Sequence, residues 1–327
     1  MEAGVKLGVL TVLYADQPLD EVLDRAVALG LDAVELGTGN YPGDVHCPAG
    51  ELLADRARAR ELRRAVTDRG LQISALSCHG NPLHPRAEVA EAHHGVWRRT
   101  LELCELLEVD VVNTFSGCPG DGPDGRAPNW VTCPWPPDFA ELLAWQWDER
   151  VIPYWREEAQ RAAAHGVRGI GLEMHPGFVV YNPGTLLRLR AAAGERIGAN
   201  FDPSHLVWQG IDPVEAAREL GRAGAIFHAH AKDTYVDRGN VRRDGVLDTK
   251  PYDRVIDRAW SFRTVGYGHG EELWRALVSM LRTVGYDGVL SIEHEDPLAS
   301  VDEGLEKAVA LLRGVLLREP PAAMWWS

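Results

Sequence analysis

Short apolar, β-branched runs alternate with stretches of helical spacing along the whole chain. The run from Val5 to Val12 gives way at Leu19 to apolar residues three and four apart, which stop at Leu29-Gly30. A strand, a helix and a glycine stop account for that order. The order returns at Asp32 to Leu36, with a long helix from about Pro48 to Arg69-Gly70, and again at Leu71 to Ser77, with a helix from about Ala87 to Leu107. A fourth strand spans Val109 to Phe115, and a Gly-, Pro- and Trp-bearing connection from Ser116 to Pro137 separates it from a helix over Asp138 to His165-Gly166. Strands five and six are Gly169 to Glu173 and Ile197 to Phe201, with short helices near Pro183 to Ala193 and Pro213 to Leu220. The seventh strand, Ala225 to His230, precedes a long polar stretch, Lys232 to Gly268, and a helix from Glu271 to Val284-Gly285. Val289 to Glu293 is the eighth strand, and a last helix runs from about Val301 to Leu317.

Strands that alternate with helices in this way pair in parallel, and eight such units in 327 residues predict one closed (β/α)8 barrel with long loops after strands four and seven. An open doubly wound sheet is disfavoured, because neither GxGxxG nor GxxxxGK[ST] follows the first strand. No linker-like shift in composition interrupts the barrel, taken as residues 1–319. The segment 320–327 is set apart by Pro320-Pro321, which halts the helix, and carries Trp325 and Trp326.

Charge and cysteine content narrow the picture. Asp and Glu number 48 against 34 Lys and Arg, a formal net charge of −14, which repels a nucleic-acid backbone. Five cysteines form no CxxC pair and follow no secretory leader, so a reduced cytoplasm is expected. No apolar run approaches the ~20 residues that a membrane span requires.

Barrels of this type place their chemistry where the strands end. Strands five to eight end in Glu173, Asp202, His230 and Glu293, which brings three carboxylates and one imidazole to a single rim. Unpaired buried carboxylates cost several kcal/mol each, and a divalent cation is the economical remedy. Oxygen and nitrogen donors without thiolate favour Mn2+ or Mg2+ over Co2+ or Zn2+. The alternative for Asp202, ahead of Pro203, is a helix N-cap.

The strings Leu172-Glu173, Asp202-Pro203-Ser204-His205, His230-Ala231-Lys232-Asp233 and Ile292-Glu293-His294-Glu295-Asp296 resemble the xylose isomerase-like barrel superfamily of sugar isomerases and epimerases over nearly the whole chain. The tagatose/psicose 3-epimerases, inosose dehydratases and catalytic subunits of C-glycoside deglycosidases belong with it. The resemblance implies that Glu173, Asp202, His230 and Glu293 hold the metal, that Glu173 and Glu293 are also the catalytic acid/base pair, and that His205 orients substrate. It implies a sugar or oxo-sugar whose carbonyl and adjacent hydroxyl chelate the metal, with proton abstraction through an enediolate. Epimerisation, ketose–aldose isomerisation and elimination share that first half. The same superfamily includes the endonuclease IV type of repair enzyme, but strand four here ends in Asn113-Thr114-Phe115 where that type needs a histidine.

Further residues near the predicted rim have two readings each. His175 shares the face of Glu173 and reaches substrate, or it stabilises a turn with Pro176. His79 closes strand three and bonds a sugar hydroxyl, or is satisfied by backbone. Glu35 ends strand two before Gly37-Thr38-Gly39 and braces a loop there, with a direct role the lesser alternative. His228 packs one layer below His230. Lys232 and Asp233 steady the metal shell or form a surface ion pair. In the long loops, Trp130, Trp135, Tyr252, Trp260 and Phe262 make either a lid over a sugar or a contact with another copy or a small partner subunit, and Arg263 contacts substrate. Without a glycine-rich phosphate nest after strands seven or eight, an unphosphorylated sugar or polyol is expected. Two other classes compete with an isomerase or epimerase: a lyase acting by α-proton abstraction, and a carbohydrate-binding or assembly subunit without catalysis.

Overall fold

A computed structural model describes residues 4–319; the segment from Pro320 to Ser327 lies outside the described residues. The strands are β1 (Lys6–Leu10), β2 (Ala33–Gly37), β3 (Gln72–Ser77), β4 (Val111–Thr114), β5 (Gly169–Glu173), β6 (Ile197–Phe201), β7 (Ile226–Ala231), β8 (Asp233–Val236), β9 (Trp260–Arg263) and β10 (Val289–Ile292). Eight of them close a parallel barrel in the order β1-β10-β7-β6-β5-β4-β3-β2, so the alternation of strand and helix does produce the expected TIM barrel. Helices cover the outer face and side chains fill the inside, which is why β2, β5 and β6 are buried along their full length. At the bottom of the barrel, helices end on left-handed glycines such as Gly30 and Gly285, with φ of +60° and +82°, conformations that a Cβ disfavours. No helix among the described residues is long and apolar enough to cross a membrane.

Three segments differ from the pattern. The long helix expected from Pro48 to Gly70 is two, Ala49–Ala54 and Arg56–Thr67. Asp55 breaks it with non-helical backbone (φ −126°, ψ 88°), and its carboxylate caps the second helix by accepting from the Ala57 and Arg58 amides. A short helix, Pro203–Trp208, follows β6 outside the strand–helix alternation, with Asp202 as its cap, the alternative its place ahead of Pro203 offers. The stretch after β7 is not simply a polar loop: β8 and β9 pair antiparallel from Asp233↔Arg263 to Val236↔Trp260, and a helix, Arg238–Asp244, lies between them. Trp208 and Trp260 stack with ring centroids 4.5 Å apart and anchor this hairpin over the end of β6.

On the outer layer, Trp97 and Trp155 meet edge to face at 5.6 Å. The Trp155 indole donates to the Ser116 carbonyl (2.9 Å) and the Trp97 indole to Glu158 (2.6 Å), so both rings pack without stranding their N–H groups. Trp155 ties the loop after β4 to the helical shell. Trp155→Ala is expected to cost about 3–5 kcal/mol, read as a lowered urea midpoint at unchanged slope.

Inside, the layer at the strands' C-terminal ends is polar rather than aliphatic. Glu35, Ser77, Asn113, Asn200, His228 and His230 are all buried and bond one another. Gly171 makes room for this layer, since a Cβ there would lie 2.4 Å from Asn113 Oδ1. The site stands on that platform.

Candidate metal centre

Above the polar layer opens a cavity of about 690 Å³. Glu173, His230, Glu293, His79, His175, His205 and Lys232 form its polar side; Leu10, Val12, Tyr41, Phe115, Tyr252 and Phe262 form its apolar wall. Glu173, His230 and Glu293 come from the ends of β5, β7 and β10, and Asp202 follows β6 directly. One donor atom from each of these four lies within 4.8 Å of all the others, so the residues expected from the strand ends do converge.

The contacts within this cluster are uneven. Glu173 is held on several sides: His79 Nε2 lies 3.1 Å and the Asn200 amide 3.1 Å from Oε2, and His205 Nε2 lies 3.0 Å from Oε1. Lys232 Nζ lies 3.0 Å from Glu293 Oε1 and 2.5 Å from Glu295, above the Phe262 ring at 4.3 Å. Asp202 spends Oδ1 on the Ser204 amide (2.8 Å) as a helix cap, so capping and the rim role coexist in one carboxylate. Its Oδ2 and Glu293 Oε2 are buried without a hydrogen-bond partner. His230 Nδ1 is only 2.9 Å from Glu293 Oε2, in a direction poor for an N–H donor. Acceptors packed this closely with their lone pairs unspent are what two ligands of one cation present.

Charge follows the same division. Burial pushes the Glu173 carboxyl up, but His79, His205 and His230 outweigh it and hold the group well below the usual carboxylate range. Burial likewise opposes ionisation of Glu293, and Lys232 with His230 brings it down to about 2. Asp202 is raised, because burial, with Glu173 and Glu293 adding to it, exceeds the help from His205 and Lys232. Burial pushes His230 down, and Glu35 and Glu293 overcome it and raise the imidazole well above its ordinary value. The carboxylates thus gather positive charge at one point. A divalent cation meets that demand and satisfies the two orphaned oxygens, so the residues present fit a hard metal ion.

The remaining residues sort clearly. His175 lines the cavity and also closes its turn: its Nδ1–H donates to the Pro176 carbonyl at 2.6 Å, which leaves Nε2 as an acceptor. Burial, with His205 beside it at 4.2 Å between centroids, pushes the His175 imidazole down to about 3, so it is neutral. His228 packs below His230 as expected, bonded to Asn200 Oδ1 (3.0 Å) and Ser74 (3.1 Å).

Corrections concern Arg263, Glu35, Lys232 and Asp233. Arg263 does not line the cavity; its Nε donates to both oxygens of Asp296 at 3.0 and 3.1 Å. Asp296 also accepts from the Thr264 and Leu298 amides, so the pair fastens β9 to the loop after β10. Glu35 braces no loop but lies fully buried inside the barrel, 3.0 Å from His230. Lys232, only 3% exposed, is no surface pair. Asp233 is occupied with the amides of Gly266, Gly268 and His269 and with the His269 ring, and shapes the loop after β9.

Of the loop aromatics, Tyr252 and Phe262 reach the cavity, whereas Trp260 stacks on Trp208 and Trp130 packs against Tyr181. Trp135 is 71% exposed. Tyr41 and Phe115 line the cavity without having been singled out for it. Phe115 directly follows β4 and is legible as a rim residue; Tyr41 sits in the loop after β2 with no periodic signal. Asn200 lies two residues before Asp202 and so on its face of β6, a signal that was available.

Comparison with known proteins agrees with this architecture. Residues 23–314 match the family described as xylose isomerase-like TIM barrel. The uncharacterized protein YfiH of Bacillus subtilis (strain 168) is 39% identical over 311 residues, covering 94% of this chain and 98% of that one. Among solved structures, the probable 3-DHS dehydratase AsbF of Bacillus anthracis superposes with a TM-score of 0.65 at 17% identity, covering 94% of this chain and 99% of its own. A D-tagatose 3-epimerase-like protein does so with a TM-score of 0.63 at 19% identity, covering 95% and 98%. At these identities the two structures speak for the fold alone.

Proposed function

The chain belongs to the xylose isomerase-like TIM-barrel family, and from that premise we propose that it is a divalent-metal-dependent isomerase or epimerase of an uncharged sugar. The observation that carries the proposal is the convergence of Glu173, Asp202, His230 and Glu293 with two buried carboxylate oxygens left unpaired. What a cation held by these four supplies is Lewis acidity toward a substrate carbonyl. Its oxygen-rich donor set, with one imidazole and no thiolate, is suited to Mn2+.

Around that centre the chain's own groups divide the work. Glu173 and Glu293 are both held ionised, so either can accept the proton from the carbon next to a carbonyl. Returned to the opposite face, the proton gives an epimer; returned to the neighbouring carbon, it gives an isomer. His79 and His205 fix the Glu173 carboxylate, and the free Nε2 of His175 is an acceptor for a sugar hydroxyl. Tyr41, Phe115, Tyr252 and Phe262 offer apolar faces to a sugar ring.

Substrate charge follows from Lys232. Among the described residues it is the cavity's only Lys or Arg side chain, and it is already shared by Glu293 and Glu295. No unpaired Lys or Arg among the described lining residues is left to receive a phosphate or carboxylate. A lyase is the second reading, favoured by His175: its imidazole is neutral and keeps the Nε2 lone pair free in the cavity, so it can act as the base that takes the proton next to the carbonyl.

Incubation of the Mn2+-loaded protein with a panel of neutral ketoses and aldoses in D2O is expected to give metal-dependent deuteration at the carbon next to the carbonyl, followed by NMR. Phosphorylated counterparts should exchange more slowly. Absence of exchange with every sugar sinks the proposal, and an eliminated product in place of an isomer selects the lyase.

A further inference from the structure

We infer that Glu35, on β2, is a positioning residue that fixes which ring nitrogen His230 turns toward the metal. The inference rests on the metal-centre reading above and concerns a residue outside the four ligands. Glu35 is fully buried, on the opposite side of His230 from Glu293. Its Oε1 accepts from the Ser77 hydroxyl, from the Asn113 amide at 2.9 Å and from His230 Nε2 at 3.2 Å; its Oε2 lies 3.0 Å from the same nitrogen.

An ionised carboxylate only accepts, and Ser77, Asn113 and His230 can all donate. A cation displaces one proton from the imidazole, and the one that remains belongs on Nε2, against Glu35, which leaves Nδ1 with a lone pair. Nδ1 is the atom that faces Glu293 Oε2 at 2.9 Å and Glu173 Oε2 at 3.5 Å. The opposite tautomer would place an N–H where a cation needs a donor pair.

The alternative is that Glu35, His228 and His230, which also lie close enough to share an ion, form a second metal site. Hydrogen bonding decides against it. His228 spends Nδ1 on Asn200 and Nε2 on Ser74, and both oxygens of Glu35 are occupied. In the upper cluster Asp202 Oδ2 and Glu293 Oε2 are unspent. The lower cluster is saturated and works as a brace. Most barrels fill this layer with branched aliphatic side chains, so a carboxylate sunk here needs a reason, and the imidazole it orients supplies one.

Co2+ is the probe, titrated optically into metal-free protein. Glu35→Gln keeps the shape but can donate to Nε2, which frees the wrong tautomer. It should bind Co2+ about 10–100-fold more weakly and with altered ligand-field bands, while unfolding without metal near the wild-type temperature. In parallel, 15N-histidine NMR of wild-type protein loaded with Zn2+ should show His230 protonated at Nε2 and bonded to metal through Nδ1, a measurement that stands even if the variant does not fold. Wild-type affinity and spectrum in Glu35→Gln, or metal on Nε2, overturns the inference and leaves the metal centre standing. Failure of the wild-type protein to take up Co2+ overturns the metal-centre reading itself.

Discussion

Glu293→Gln is expected to leave the barrel folded and to lower turnover by about 10³-fold or more, the upper part of the range for losing a general acid or base. Glu293 has the most open side chain of the four clustered residues, at 15% exposure, and it stands at the cavity floor where β10 ends. Replacing one oxygen by an amide removes three things together. A negative charge leaves the cluster, an acceptor is lost opposite His230 Nδ1, and the group that Lys232 holds ionised can no longer take a proton. The shape is preserved, so packing around Ile292 and the last helix should not change. Glu295→Gln is the internal control: Glu295 also touches Lys232, but its side chain is half exposed and it is not one of the four clustered donors. Deuterium exchange into the sugar, read by NMR at saturating Mn2+, should fall to near background in Glu293→Gln and only slightly in Glu295→Gln. A Glu293→Gln rate within a few-fold of wild type would remove that carboxylate from the reaction.

That such a variant can be chosen at all reflects where the information lies along the chain. Glu173, Asp202, His230 and Glu293 each close a short apolar run, and the barrel rule converts four strand ends into one rim without further data. Glu35 and Asn113 were less visible for the same reason. They sit within strands whose neighbours are apolar, and only barrel closure shows that they face the same interior as His228 and Asn200. Arg263 was misassigned because its partner, Asp296, lies 33 positions downstream and becomes a neighbour only when β9 folds back across the loop after β10. The hairpin itself was hidden by the polar residues between its arms, although Thr234-Tyr235-Val236 and Trp260-Ser261-Phe262 carry β-prone side chains. Helix periodicity ran through Asp55 because an N-cap interrupts the backbone without interrupting the spacing of Leu52, Ala59 and Leu62.

Removal of divalent metal is expected to abolish turnover and to lower the unfolding temperature, two effects with one cause. Without a cation, Glu173, Asp202 and Glu293 share a buried space, and Asp202 in particular is pushed toward its protonated form by that burial and by the other two. Charge compensation then rests on His230 and Lys232, whose hydrogen bonds leave Asp202 Oδ2 and Glu293 Oε2 unsatisfied. A ligand that binds only the folded chain adds stability by mass action, about 2.7 kcal/mol when its free concentration is a hundred times Kd. Chelated protein should therefore unfold several degrees below Mn2+-saturated protein, and the gap should widen with the logarithm of added Mn2+. Glu293→Gln should narrow the gap, because one donor is gone from the set. Glu295→Gln should leave it intact. Differential scanning fluorimetry across a Mn2+ series, with sugar exchange measured on the same samples, separates the possibilities. Chelated protein that retains the full exchange rate would mean that the cluster balances charge for structural reasons alone, whereas recovery of rate and of unfolding temperature at the same Mn2+ concentration ties both to occupancy of one site.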